Sequence, residues 1–325
     1  MVKVRKLNIK KVGILVGVVL AVIILLICGI KSLINEKNLK KTNEYKLSQI
    51  GYSTNEIDVI KNTLNTEQIN SILNIKYDTN IVKFIKEKYF IFNNLDKYLT
   101  YAKDNSDETS LVVAKVNTKA SDGWYSTIND ADTSKGALVL VNKFYKLDEN
   151  YVPEDLVNVS LTYSYQGKKV SKVIYDDLID LLEAGKTAGY KLVVSQGYRS
   201  YKDQFDAYDS IEKSSGQSYA DKIASRAGHS DYQTGLSVDI KPYNTIVEDP
   251  STNPDHEWLI NNAHKYGFIL RYPNGKEEIT GFSYDPWRFR YVGREAAKVI
   301  YEENITFDEY YEFYIVNGGK KWTKK

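Results

Sequence analysis

Nineteen consecutive residues, Val12 to Ile30, carry no charged or strongly polar side chain. As a helix rising about 1.5 Å per residue, the run reaches roughly 28 Å, about one hydrocarbon core. The preceding stretch holds Lys3, Arg5, Lys6, Lys10 and Lys11 and no acid. A basic flank stays in the cytoplasm, so the run predicts an uncleaved single-pass anchor with everything after Lys31 outside the cell membrane. A cleaved signal peptide is the rival reading, but the run exceeds an ordinary signal core and no small-x-small site follows it. A lipoprotein signal would use Cys28, yet Ile27 stands where a small residue belongs. On this reading residues 1–11 are cytoplasmic, 12–30 form the anchor and the polar, charge-mixed stretch 31–48 is a linker.

Charge then narrows the partners. Forty-four Lys and Arg against 42 Asp and Glu leave a net charge of +2, which excludes a strongly basic nucleic-acid binder. A single Cys forms no internal disulfide, and with three His it cannot build a multi-cysteine zinc module. The absence of cysteines beyond the anchor suits an exported bacterial protein that does not rely on disulfides.

The rest of the chain reads as a helical module over 49–110 followed by a mixed domain over 111–325. Ser53-x-x-Glu56 and Asn65-x-x-Gln68 mark helix starts ahead of apolar residues at helical spacing. Ile81 to Tyr101 continues as helix, with a break near Asn93-Asn94. From Leu111 the pattern turns to short β-rich runs, LVVAKV, ALVLVNKF and KLVVSQGY, with a periodic helix over 170–185 between the last two. Residues 201–226 and 294–318 are again helical, whereas 284–293 are short, aromatic and strand-like. Scattered strands among helices predict an α+β fold rather than a doubly wound sheet.

Three segments behave as parts of one site. Ser195-Gln196-Gly197-Tyr198-Arg199-Ser200 ends a buried strand, with Gln204 at a helix start beyond it. There Arg199 could hold a carboxylate through two hydrogen bonds. Gly228 to Asp239 is a turn-rich approach to a strand that sets Asp239 among apolar neighbours, a costly place for an acid unless it is paired or bound to metal. Tyr284 to Gly293 is the third segment.

At these residues the chain resembles the VanY-type D-alanyl-D-alanine carboxypeptidases, zinc enzymes of the lysostaphin/D-Ala-D-Ala/hedgehog fold group. The likeness runs from about Leu138 to Tyr310. It rests on Leu140-Val141-Asn142-Lys143, Tyr151-Val152-Pro153, Gln196-Gly197-Tyr198-Arg199-Ser200, Lys265 to Pro273, Thr280-Gly281, Pro286-Trp287 and Arg290-Tyr291-Val292-Gly293, in that order. It implies a small antiparallel sheet with flanking helices, peptidoglycan stem peptides as ligands, and Arg199, Ser200, Gln204 and Ser230 as substrate-binding residues.

The zinc site departs from the family pattern. That pattern resembles Ser-Glu-His-Gln-Thr-Gly-Leu-Ala-Val-Asp and Glu-Pro-Trp-His, in which two His and the Asp bind zinc and the Glu is the general base. Here the ligand positions hold Tyr232, Asp239 and Arg288, and the base position holds Asp285. Catalytic zinc takes three protein ligands and keeps one place for water, and a guanidinium has no lone pair to give. His229 reads as a loop residue, while His256 and His264 fall in the helix before Lys265. The expectation is therefore no metal and no cofactor. Arg288 would stand in the metal's electrostatic place, paired with Asp239, Asp285 or both, with the Tyr232 hydroxyl donating into the same network. The leading function is a membrane-anchored pseudoenzyme of the cell envelope that binds stem peptide or an envelope protein. The alternatives are an active D-alanyl-D-alanine carboxypeptidase using zinc in an altered shell, and a docking platform with an idle cleft.

Overall fold

The protein is described by a computed structural model over residues 9–243 and 253–319. Packing divides the chain into two units, residues 1–86 and 87–325.

The first unit is helical: α1 (Ile9–Leu39), α2 (Asn43–Ile50), α3 (Thr54–Thr63), α4 (Thr66–Ile72) and α5 (Thr79–Ile85). Both expected capping boxes form, Ser53 with Glu56 ahead of α3 and Asn65 with Gln68 ahead of α4. Each satisfies backbone donors that the first helical turn leaves orphaned. Helix α1 covers the expected anchor but does not stop with the apolar run. It continues past Lys31 through a Lys40–Glu36 pair spaced i,i+4, so the expected linker is helix for much of its length. Among the described residues, no helix is long and apolar enough to cross a membrane.

The second unit begins earlier than residue 111. It takes in α6 (Leu95–Asp104) and α7 (Thr109–Asn117), which pack together. Helix α7 corrects a β reading of LVVAKV. Val112, Val113, Ala114 and Val116 are all buried, and an apolar run closed in on every side shows no periodicity that separates helix from strand. The ALVLVNKF run is likewise no regular strand. Ala137 and Leu138 end a 3-10 turn, and the residues from Val139 on are buried in an irregular connection, in which the Asn142 side chain accepts from the backbone N–H groups of Phe144 and Tyr145.

Four short strands follow in pairs, β1 (Asn129–Asp130) with β2 (Tyr145–Lys146), and β3 (Leu156–Asn158) with β4 (Lys169–Ser171). After them come α8 (Lys172–Thr187), β5 (Leu192–Gln196), α9 (Tyr201–Ser215), α10 (Gln217–Ile223), β6 (Ser237–Pro242), α11 (Pro254–Asn262), β7 (Phe268–Tyr272), α12 (Glu277–Thr280), β8 (Asp285–Tyr291), α13 (Arg294–Glu303) and α14 (Phe307–Tyr310). The main sheet has the order β5-β6-β8-β7, antiparallel throughout. Period-two alternation sends Val238 and Ile240 into a core with Ile174, Leu178, Leu181 and Leu182 of α8. Asp239, between them, therefore points to the opposite face. This α+β sheet with flanking helices is the expected architecture.

Candidate functional site

The site grows out of strand register. In the antiparallel pairing of β6 with β8, Asp239 lies directly opposite Arg288, while Val238 pairs with Phe289 and Ser237 with Arg290. Directly opposed side chains share a face and stand about 5 Å apart at Cβ. Arg288 Nε donates to Asp239 Oδ1 at 3.2 Å, and Nη2 reaches Asp285 Oδ2 at 3.0 Å. One guanidinium thus bridges two carboxylates, a geometry that a planar fork allows.

Tyr232 completes the cluster from a 3-10 turn, residues 231–234, just before β6. The turn closes on Gly235 at φ 69, where an added Cβ would lie 2.9 Å from the Ser171 nitrogen, so glycine is required. The Tyr232 hydroxyl donates to Asp239 Oδ1 at 2.6 Å, and its ring lies 4.1 Å from the Arg288 guanidinium carbon. Burial, reinforced by Asp239, pushes the phenol well above its ordinary range against the pull of Arg288. The 2.6 Å contact makes the hydroxyl a donor to Asp239. Burial also works against the Arg288 charge, but Tyr232, Asp239 and Asp285 outweigh it and hold the cation well above its ordinary range.

This donor set does not fit zinc. At the three positions where the resemblance expects ligands stand a carboxylate, a phenol that donates to it and a fixed cation, where a catalytic ion needs three lone-pair donors. The histidines are engaged elsewhere. His229 Nδ1 sits 2.7 Å from the Asn142 carbonyl, buried His256 meets the Tyr284 hydroxyl and the Trp287 ring, and His264 stacks on Tyr301. Among the described residues, no group of three His, Cys, Asp or Glu is placed to hold a metal.

Of the four expected substrate-binding residues, Arg199 packs on this cluster and Gln204 holds Arg199. Arg199 lies with its guanidinium carbon 4.8 Å from the Tyr232 ring centre and donates to Gln204 Oε1 at 3.1 Å. Gln204, buried, is itself fixed by donating to the Ser225 carbonyl at 2.6 Å. Ser200 and Ser230 are committed to local turns. Ser200 caps α9 through Asp203, and Ser230 accepts from the Tyr232 N–H.

A buried layer next to Tyr232 has no counterpart in the sequence reading. Asp231 accepts from Arg271 Nε and from Arg290 Nη1, both at 2.7 Å. Arg271 also donates to Asp308 at 2.6 Å, and Asp308 accepts from Asn142 at 2.7 Å. Both arginines are fully buried. Two cations and two anions are thus interleaved and mutually satisfied, which is the condition for keeping charges inside a protein. The sequence offered one usable signal: arginines inside otherwise apolar, aromatic strands.

Comparison with known proteins finds likeness across this mixed domain. The family model described as VanY, D-alanyl-D-alanine carboxypeptidase, matches residues 167–294. The Bacillus subtilis (strain 168) protein YodJ, named as a carboxypeptidase, is 40% identical over 182 residues, covering 54% of this chain and 67% of its own. A D-alanyl-D-alanine carboxypeptidase of Enterococcus faecalis (strain ATCC 700802 / V583) is 30% identical over 220 residues, 65% of this chain and 74% of that enzyme. Among solved structures, the LdcB LD-carboxypeptidase superposes with a TM-score of 0.54 at 38% identity, over 57% of this chain and 90% of that one.

Proposed function

The chain belongs to the VanY family of D-alanyl-D-alanine carboxypeptidases, and from that premise we propose that it binds peptidoglycan stem peptide in the cell envelope without hydrolysing it. One observation supports the reading: Arg288, at the position where the resemblance expects a metal ligand, bridges Asp239 to Asp285. A hydrolytic metal must lower the pKa of a bound water, and a guanidinium cannot coordinate that water. Asp285, at the base position, spends a carboxylate oxygen on Arg288 and has a further oxygen accepting from the Trp287 N–H.

Binding needs none of this. Arg199 keeps most of its N–H groups for a ligand, and Gln204 together with the Tyr232 ring holds it in orientation. The terminal carboxylate of a stem peptide is its natural counterpart. The wild-type full chain is expected to bind a pentapeptide ending in D-Ala-D-Ala and to release no D-Ala from it. Arg199→Ala is expected to weaken that binding about tenfold, the worth of a charge-assisted hydrogen bond. Chelator-sensitive D-Ala release by the wild-type chain would overturn the reading in favour of an active carboxypeptidase. Loss of peptide binding altogether would favour a docking platform for an envelope protein.

The basic flank and the apolar run at 12–30 support an anchor with the bulk of the chain outside the cell membrane. A reporter fused after Lys325 should then be active only outside; activity confined to the cytoplasm would end that placement.

A further inference from the structure

A cleft of 740 Å³ opens in the same unit near the rewritten site. Its size is ordinary for a ligand site, roughly 300–1,000 Å³. Phe282 links the two places. Its ring lines the cleft and packs at 4.7 Å on Tyr272, whose ring in turn lies 5.6 Å from the Arg288 guanidinium.

The lining is aromatic and polar but electrically balanced. Lys115 is held by Asp107 at 2.8 Å and by Glu278, and Asp221 takes two hydrogen bonds from Arg226, at 2.9 and 2.8 Å. With Lys143, Lys222 and Glu277 counted, the lining carries three cations, Lys115, Lys143 and Lys222, against three anions, Asp221, Glu277 and Glu278. The floor holds Lys143, whose ammonium lies 4.3 Å from the Phe282 ring centre and 5.3 Å from that of Trp124, and donates to the Asp221 carbonyl at 2.6 Å. Burial lowers it to about 8, with Asp221 opposing. Ser121, Ser218 and Ser283 add hydroxyls at the rim.

Trp124 is held where a ligand can reach it. It lies against the backbone of Gly281, where a Cβ would stand 2.9 Å from the indole, and it remains 37% exposed. The next residue, Tyr125, adopts φ 59, a left-handed conformation that a bulky side chain takes only at a cost. The Arg226 guanidinium at 4.0 Å and the His229 ring at 5.1 Å clamp Tyr125 in that conformation. A strained, clamped turn thus presents an indole to solvent at the mouth of the cleft.

We propose that this cleft binds a neutral carbohydrate, a short stretch of N-acetylated glycan, with Trp124 as its stacking platform. A pyranose ring offers an apolar C–H face to an aromatic and hydroxyl and amide groups to side chains around it. A balanced, aromatic, hydroxyl-rimmed cleft suits that ligand better than an anion or a cationic peptide. The inference rests on the peptide-binding reading for its biological sense, because a peptidoglycan strand would present its peptide to Arg199 and its sugars to Trp124. Its physical basis is separate.

The test titrates the full chain in mild detergent, by calorimetry, with two probes in turn. One is a β-1,4-linked N-acetylglucosamine tetramer without peptide, and the other is the D-Ala-D-Ala-ended pentapeptide without sugar. The tetramer should bind the wild-type chain, lose about tenfold in affinity with Trp124→Ala, and recover most of it with Trp124→Tyr. Pentapeptide binding should be unchanged in both variants, which also shows that they fold. No tetramer binding by wild-type chain, or equal affinity in Trp124→Ala, overturns the proposal. So does a cationic peptide that binds through Trp124 where the tetramer does not. Tetramer binding without pentapeptide binding would support the cleft while sinking the peptide reading, and the reverse would do the opposite.

Discussion

Changing Tyr232→His, Asp285→Glu and Arg288→His together is expected to give a chain that holds a single zinc ion, where the wild-type chain is expected to hold none. Asp239 stands on β6 where the resemblance expects a ligand, and the register of β6 with β8 places residue 288 directly across from it. Two imidazoles and one carboxylate make a three-ligand set with a place left for water. Each change alone should fail. With Arg288 kept, a fixed cation sits within about 4 Å of the incoming ion, a repulsion of several kcal/mol even at a surface-like dielectric. With only Arg288→His, the set still lacks a ligand at Tyr232. Metal content after dialysis is the measurement. A folded triple variant without zinc would show that more than these side chains has changed.

Arg288→Ala is expected to destabilise the wild-type fold far more than it destabilises an Asp239→Asn background. Removing one partner of a buried pair typically costs about 3–5 kcal/mol, because the other charge is left without compensation. Both side chains keep some exposure, 15% and 16%, so the lower end of that range applies. Denaturant unfolding of the four chains of the cycle gives the coupling directly. Equal losses in both backgrounds would mean that Arg288 and Asp239 are neighbours without being partners.

Much of this site was legible because its residues stand at recognisable motif positions. Tyr232, Asp239, Asp285 and Arg288 were each identifiable, and the need to compensate a carboxylate among apolar neighbours pointed to Arg288. The regular strands β5, β6 and β8 and helix α8 were legible from alternation and from 3.6-residue spacing. Helix α7 was not, because a segment buried all round carries no periodicity. The Asp231, Arg271, Arg290 and Asp308 layer was hidden for another reason. Arg271 and Arg290 stand out inside apolar, aromatic strands, but nothing local names their partners, and only the folded sheet brings residues 231 and 308 to one arginine. The Trp124 turn was equally silent, since nothing local announces a left-handed tyrosine.

That interleaved layer also fixes an order of events. A chain that emerges N-terminus first delivers Asn142, Asp231, Arg271 and Arg290 before Asp308, and the contact from Asn142 to Asp308 spans 166 positions. Until Asp308 arrives, two guanidiniums face one carboxylate, and the sheet beneath the cleft cannot close over an uncompensated cation. Such long-range closure is slow, because the loop entropy is lost before the contact forms. The docking of α14 therefore acts as a latch. A chain cut short before Phe307 is expected to stay open and to be cut faster than the full chain, which limited proteolysis would read.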